Sequence, residues 1–185
     1  MTPRFDFDER ARRHLLRVAR EAIEAEVRGR LMPALSAGEF EYPNHGVFVT
    51  LRCGERLRGC IGTFHPDGEL ISTIRHIAAE ATHDSRFTGA PLGPGDLPTL
   101  RIELSLLSPL TPIRDASEIV IGRHGVHVAI GGRRGCFLPS VATEHGWDAP
   151  TFLSVCCAEK IGVSPDAWQG PNAVVSVFEI EKIEE

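Results

Sequence analysis

The chain has 185 residues, of which 42% are hydrophobic and 24% are charged, and its formal net charge is -5 at pH 7. This composition is typical of a globular protein and excludes a disordered or collagen-like chain. The negative charge argues against a general nucleic-acid binder, because non-specific affinity for nucleic acids rests on neutralising phosphates. No stretch approaches the roughly 18 continuous apolar residues that a membrane helix requires.

Two further features indicate the cellular compartment. The polar N-terminal residues 1–13 mix acids with arginines, which is typical of neither a secretory signal nor a transit peptide. The cysteines are odd in number and form no CxxC pair, so reduced thiols are favoured over a disulfide framework or a zinc knuckle. We therefore expect a cytoplasmic protein without a membrane segment. The cysteines are Cys53, Cys60, Cys136, Cys156 and Cys157.

The first predicted element is a long amphipathic helix. Asp6 and Glu9 have the spacing of a capping box, and apolar residues recur at helical spacing from Ala11 to Ile23, up to Gly29. The glycines and prolines of residues 30–45 predict a loop.

A β-hairpin is predicted next, with strands over 47–51 and 57–64. If its loop is 53–55, one face of the hairpin is wholly apolar, which favours this register over a shift by one residue. The opposite pairs are then Val47 with Ile61, Phe48 with Cys60, Thr50 with Arg58 and Leu51 with Leu57.

A second helix is predicted to start at Asp67 or Gly68 and to bury a stripe from Leu70 to Ala81. His76, Glu80 and His83 share one side of it at metal-ligand spacing. A solvated helix face is the commoner reading of such residues, so we assign no metal.

The remaining elements alternate hairpins and helices without a repeated βαβ period. Strands are predicted over 99–108 and 173–181, with an acidic tail after the last one, a second hairpin over 126–138, and helices over 139–145 and 151–160. This order predicts an α+β fold with a mainly antiparallel sheet and flanking helices.

The stretch Leu57–Phe64 is the leading candidate for a functional site. Its two glycines weaken a strand and usually mark a bulge or a close approach of other backbone. Strict alternation places Arg58 and Cys60 on one face, where a cation would favour the reactive thiolate. The structural alternative is a buried cysteine beside an arginine that pairs with an acid.

Two further groups extend this candidate site. His83, Asp84 and Arg86 lie in an irregular loop. Either they position an anionic or polar ligand, or Asp84 caps the preceding turn and Arg86 pairs with it. Glu103 and Ser105 lie on the polar face of the predicted 99–108 strand. If that strand joins the hairpin, we expect Glu103 to reach Arg58, as an ion pair or as a general acid/base set.

These motifs together resemble the AMMECR-one domain family, whose prokaryotic members are called AmmeMemoRadiSam system protein A. The similarity covers nearly the whole chain from the first helix to the last strand. Its main carriers are Gly46–Leu51, Leu57–Thr63, Asp84–Phe87, Ile102–Ser105, Leu138–Ala142 and the pair Trp147 and Trp168. The chain has Ser85 where the family usually has proline.

The resemblance implies a single two-lobed domain over 1–185, with a larger lobe from both chain ends and a smaller middle lobe. The family's name implies a pathway shared with Memo-like and radical S-adenosylmethionine proteins. The iron-sulfur cluster and its cofactor would belong to the latter partner, and we expect no cofactor in this chain.

Two functions follow as hypotheses. In the first, the chain is an enzyme or catalytic accessory with Arg58, Cys60 and Glu103 as catalytic residues and His83, Asp84, Arg86 and Ser105 binding the ligand. In the second, the same face is a non-catalytic module that binds a protein or a small molecule. Nucleic-acid binding is the least favoured of the functions considered, and it would use Arg52, Arg56, Arg58, Arg133 and Arg134.

Overall fold

The computed structural model describes residues 5, 7–34, 42, 45–64, 68–87 and 92–185. Its elements in chain order are α1 (Glu9–Val27), β1 (Gly46–Cys53), β2 (Arg56–Thr63), α2 (Leu70–Ala81), β3 (Leu100–Leu107), β4 (Thr111–Pro112), β5 (Gly125–Ile130), β6 (Arg133–Phe137), α3 (Pro139–His145), α4 (Ala149–Val155), β7 (Ala173–Phe178) and β8 (Ile180–Glu184). Helices and two antiparallel sheets of four strands confirm the predicted α+β class. None of the helices in this described part is long and apolar enough to cross a membrane.

The chain divides into two compact units. The first unit comprises Met1–Leu107 and Glu181–Glu185, and the second comprises Ser108–Ile180. The first unit holds the sheet with strand order β2-β1-β3-β8, called the first sheet below. The second unit holds the sheet with order β4-β7-β5-β6, called the second sheet.

The first unit buries one face of its sheet against α1 and α2. The amphipathic pattern of α1 is confirmed, because the apolar residues that recur at helical spacing are the buried ones. The core of this unit includes Leu15, Ala19 and Ile23 of α1, Ile74 and Ala78 of α2, Val47, Val49 and Leu51 of β1, and Ile102, Leu104 and Leu106 of β3. The opposite face of the sheet carries the polar residues of these strands.

Both helices of this unit begin later than the sequence suggests. The N-cap of α1 is Asp8, whose carboxylate accepts a hydrogen bond from the Ala11 amide at 2.7 Å. The predicted capping box at Asp6 is therefore wrong by two residues, and Asp6 itself lies outside the described residues. Helix α2 begins at Leu70 after the N-cap Glu69, two residues beyond the predicted start at Gly68, and the alternative start at Asp67 lies outside the described residues.

The predicted hairpin forms, but its register is wrong. Val47 is opposite Thr63 and Thr50 is opposite Cys60, so the pairing is offset by two residues from the prediction and keeps the same faces. The register then shifts by one between Leu51 and Arg52, which leaves Arg58 without an opposite residue. This bulge breaks the strict alternation on which the placement of Arg58 beside Cys60 was based.

The second unit packs α3 and α4 against its sheet. The predicted hairpin is confirmed as β5 and β6, and the predicted helix over 139–145 is confirmed as α3. Helix α4 continues as a π-helical turn, Cys156–Ile161, that ends before Gly162. The core includes Val126, Val128, Phe137, Phe152, Leu153, Cys156 and Cys157.

The single closing strand predicted over 173–181 is instead two strands. β7 belongs to the second sheet and β8 to the first, and Glu179 separates them. The Glu179 carbonyl accepts from the Ser108 amide at 2.9 Å, and the Glu179 amide donates to the Ser108 hydroxyl at 2.9 Å. The predicted acidic tail is part of β8, in which Ile183 is buried.

Candidate functional site

Both glycines of the Leu57–Phe64 stretch lie against other parts of the first unit. A Cβ atom at Gly59 would come within 2.1 Å of the Ala81 carbonyl oxygen, at the end of α2. A Cβ atom at Gly62 would come within 2.3 Å of the Phe48 ring. The close approach predicted from the two glycines is therefore observed, and it is made by the protein itself.

The loop after α2 holds the free edge of β2 at Cys60. β2 is the edge strand of the first sheet, so some of its backbone groups have no neighbouring strand. The Cys60 amide donates to Asp84 Oδ2 at 2.9 Å, and Arg86 Nη2 donates to the Cys60 carbonyl oxygen. Asp84 and Arg86 thus act together as a clamp, called the Asp84–Arg86 clamp below, on one peptide of the edge strand.

The clamp is itself held together by charge. Asp84 Oδ1 accepts from the Arg86 amide at 3.2 Å and from Arg86 Nε at 2.9 Å, and Asp84 Oδ2 accepts from Arg86 Nη2 at 2.8 Å. The Arg86 side chain and the Cys60 amide lower the pKa of the buried Asp84 carboxyl to about 2, against the opposing effect of burial. Asp84 is therefore a carboxylate at neutral pH, and Arg86 has a fixed position beside Cys60.

The Cys60 side chain lies on the polar face of the first sheet. We call this the outer face; it carries Phe48, Thr50 and Arg52 of β1, Cys60 of β2 and Arg101, Glu103 and Ser105 of β3. The Thr50 hydroxyl donates to Cys60 Sγ at 3.4 Å. Arg86 lies next to Cys60 through the hydrogen bond to its carbonyl oxygen, and the pKa of the Arg86 guanidinium is raised mainly by its hydrogen bonds to Asp84.

Arg58 is directed elsewhere by the bulge. Its guanidinium pairs with Asp96 at 3.1 Å, and its side chain is only 11% exposed. The expected contact with Glu103 is not made, since Glu103 accepts from Lys182 at 3.1 Å and from the Ser105 hydroxyl at 3.4 Å. The cation beside the thiol is thus Arg86 rather than Arg58.

Cys60 and Glu103 share one row of the outer face but do not touch. Thr50 is opposite Cys60 on one side and opposite Glu103 on the other. Because neighbouring strands lie about 4.8 Å apart, the two residues are separated by roughly 10 Å. Ser105, buried one row further along β3, orients the Glu103 carboxylate through its hydroxyl.

The histidines near this site have other partners. His83 Nε2 lies 2.9 Å from Glu26 Oε1 of α1, so His83 is not brought together with Asp84 and Arg86. His76 lies 3.4 Å from Glu80 on the exposed side of α2. Across the ranges that the structure describes, no three histidine, cysteine or acidic residues form a group that could hold a metal ion.

Sequence reasoning missed two residues that shape this site. Asp96 pairs with Arg58 and also accepts from the Gly93 amide at 2.8 Å, which lowers its pKa. Lys182 neutralises Glu103 from β8. A lone acid in the Gly/Pro-rich run of residues 89–98 was the available signal for Asp96, whereas nothing local links Lys182 to Glu103.

The chain is similar to proteins from several archaea. It is 37% identical over 182 residues to protein MK0488 of Methanopyrus kandleri, covering 92% of this chain and 86% of that protein. It is 38% identical over 180 residues to a protein of Methanothermobacter thermautotrophicus, covering 91% of each. The crystal structure of the uncharacterized protein PH0010 from Pyrococcus horikoshii superposes with a TM-score of 0.85 at 32% identity, covering 98% of this chain and 94% of that one.

A family model agrees with these pairwise similarities and with the motifs around Cys60. The AMMECR1 model matches residues 16–183, which include the second unit, most of the first and every residue of the clamp and of the outer face. This chain belongs to the AMMECR1 family.

Proposed function

We propose that this protein works in a pathway with Memo-like and radical S-adenosylmethionine proteins, and that the outer face around Cys60 is its ligand-binding site. The pathway is suggested by the family's prokaryotic name. The observation that carries the site is the Asp84–Arg86 clamp, which fixes the Cys60 peptide and sets a guanidinium near the thiol. In this proposal both compact units belong to one cytoplasmic domain.

Distances favour binding over catalysis by a thiol and carboxylate pair. A general base must come within hydrogen-bond reach of the proton that it removes. Glu103 is separated from Cys60 by the whole of β1 and is neutralised by Lys182, so it is poorly placed to deprotonate the thiol. A thiol beside Thr50 and Arg86 is well placed to contact a polar or anionic group of a ligand or partner.

Nucleophilic catalysis by Cys60 is the second candidate. Its support is position, because the Arg86 guanidinium binds the Cys60 carbonyl oxygen and can hold an anionic group of a substrate near the nucleophilic sulfur. In this case Glu103 would act on a different part of a substrate that extends across the row from β2 to β3.

The test is binding of the purified chain to Memo-like and radical S-adenosylmethionine proteins from the same organism, measured by surface plasmon resonance. Arg86→Gln and Cys60→Ser are expected to weaken the association at least about ten-fold, which corresponds to about 1.4 kcal/mol. Arg134→Gln, at an exposed arginine of the second unit, is the matched control and should bind as the wild type does.

Folded variants that bind both partners with wild-type affinity would contradict the proposal. Pathway turnover separates the two candidates further. If a Cys60→Ser variant binds normally but forms no product, nucleophilic catalysis by Cys60 would be supported and a role for Cys60 in binding would be contradicted.

A further inference from the structure

Two arginines lie directly opposite each other on the outer face, next to the row of Cys60. Arg52 of β1 is opposite Arg101 of β3, and both side chains are exposed. Directly opposite residues of antiparallel strands have Cβ atoms about 5 Å apart, and like charges at that spacing destabilise a sheet. The pair therefore creates a local excess of positive charge.

Three acids of this unit are bound to other cations. Glu103 is paired with Lys182, Asp96 with Arg58, and Glu185 accepts from Arg20 Nε at 2.7 Å. Within the part of the chain that the structure describes, neither Arg52 nor Arg101 forms an ion pair. The Arg52 side chain donates to the Glu55 carbonyl oxygen at 3.4 Å.

A solvent-open groove adjoins this arginine pair. It has a volume of about 570 Å³ and is lined by Gly54, Pro98, Thr99, Leu100, Arg101 and Glu185. This volume is within the range that small-molecule sites occupy. Arg101 therefore belongs both to the charged pair and to the wall of a groove large enough for a small ligand.

We propose that Arg52 and Arg101 bind the phosphate group of a small phosphate monoester whose remaining part lies in this groove. Two guanidinium groups match the two negative charges and three free oxygens of a phosphate, whereas one guanidinium suffices for a carboxylate. The carboxylate of Glu185 on the groove wall disfavours a second anionic group on the ligand. This site is independent of the function proposed for Cys60.

The probe for this site is inorganic phosphate, titrated into the full chain by calorimetry at constant ionic strength. The wild type is expected to bind, and Arg52→Gln and Arg101→Gln should each weaken binding at least about ten-fold. Arg134→Gln is the matched control. Cys60→Ser should bind phosphate as the wild type does, which separates this site from the thiol site.

The unfolding temperature is a second readout, because the proposal predicts that a variant is more stable than the wild type when phosphate is absent. Without phosphate, Arg101→Gln should unfold at a higher temperature than the wild type, because it removes the repulsion across the strands. Phosphate should raise the unfolding temperature of the wild type and leave that of the variant unchanged.

Three results would overturn the proposal. The first is a wild type that binds phosphate no better than chloride, and the second is an Arg52→Gln/Arg101→Gln double variant that binds as the wild type does. The third is tighter binding of a short single-stranded oligonucleotide than of phosphate, since it would assign the arginines to a nucleic-acid backbone instead of a small ligand.

Discussion

The two sheets solve the same packing problem but surround their cysteines differently. In the first sheet the ring of Phe48 covers Gly62 directly opposite it, and in the second the ring of Phe178 covers Gly125 in the same way. This device fills the space above a glycine in a strand with a cross-strand aromatic ring. The glycines of both sheets therefore serve packing and do not by themselves mark a functional site.

The two units differ in the burial and the polar surroundings of their cysteines. Cys156 and Cys157 are fully buried in the core of the second unit, and burial raises the pKa of Cys156 to about 12. Cys60 is half-buried on a polar face, with a hydroxyl at 3.4 Å and a charged guanidinium nearby. The comparison shows that the surroundings of a thiol, rather than the presence of cysteine, indicate where chemistry is available.

The largest effect is expected at the close contact between β2 and α2. Gly59→Ala would place a Cβ atom 2.1 Å from the Ala81 carbonyl oxygen, where the neighbour is backbone and cannot move aside. We expect a loss of about 3 kcal/mol or more in the free energy of unfolding, measured by urea denaturation.

Gly68→Ala is the matched control for this substitution, because a Cβ atom there meets nothing within 4 Å. It should change stability by less than about 0.5 kcal/mol. Equal stability of the two variants would show that the signature glycine does not hold β2 against α2.

The next effect concerns the clamp that only the first sheet has. Asp84→Asn removes a carboxylate whose pKa is about 2 in the folded protein and about 3.9 in an unfolded chain. The lowered pKa corresponds to about 2 to 3 kcal/mol of stability at pH 7, which is fully present above about pH 5 and is lost as the pH falls through 4 towards 2. Urea denaturation between pH 7 and pH 3 measures this dependence.

The expected signature is a difference between wild type and Asp84→Asn that shrinks below about pH 4. Asp166→Asn, at an exposed position of the second unit, is the control and should follow the wild-type profile. A difference between wild type and Asp84→Asn that stays constant over this range would show that the charge of the Asp84 carboxylate does not stabilise the fold.

The smallest effect is expected at the ion pair on the outer face. Lys182→Met should cost about 0.5 kcal/mol, because the Lys182 side chain is 45% exposed and such ion pairs are weakened by solvent. The loss should disappear at 1 M salt. A loss of more than about 2 kcal/mol, insensitive to salt, would mean that Glu103 is held more firmly than its surface position suggests.

Strands and helices with a strong local pattern were predictable from the sequence. The alternation of β3 and the hairpin of β5 and β6 follow from side-chain periodicity alone, and so does the apolar stripe of α1. The switch of the last strand between sheets was not predictable, since the alternation continues past Glu179 and nothing local marks the break.

The site was predictable in its location and not in its pairings. Two glycines correctly indicated close backbone contact, and the Asp84-Ser85-Arg86 motif indicated a polar cluster. The predicted cation near Cys60 was Arg58, and the observed one is Arg86. The difference is caused by a one-residue bulge, which cannot be read from the alternation of side chains.

The functional thiol on the outer face can be tested by alkylating the native protein with iodoacetamide, followed by mass spectrometry at each cysteine. Burial raises the pKa of Cys156 to about 12 and leaves so little thiolate that its reaction should be about a hundred-fold slower than that of an ordinary thiol, even before the blocked access of the reagent is counted. The account predicts that Cys60 reacts in the folded protein while Cys156 and Cys157 stay unmodified. Modification of Cys60 only after unfolding, at the rate of the two core cysteines, would contradict a functional thiol on the outer face.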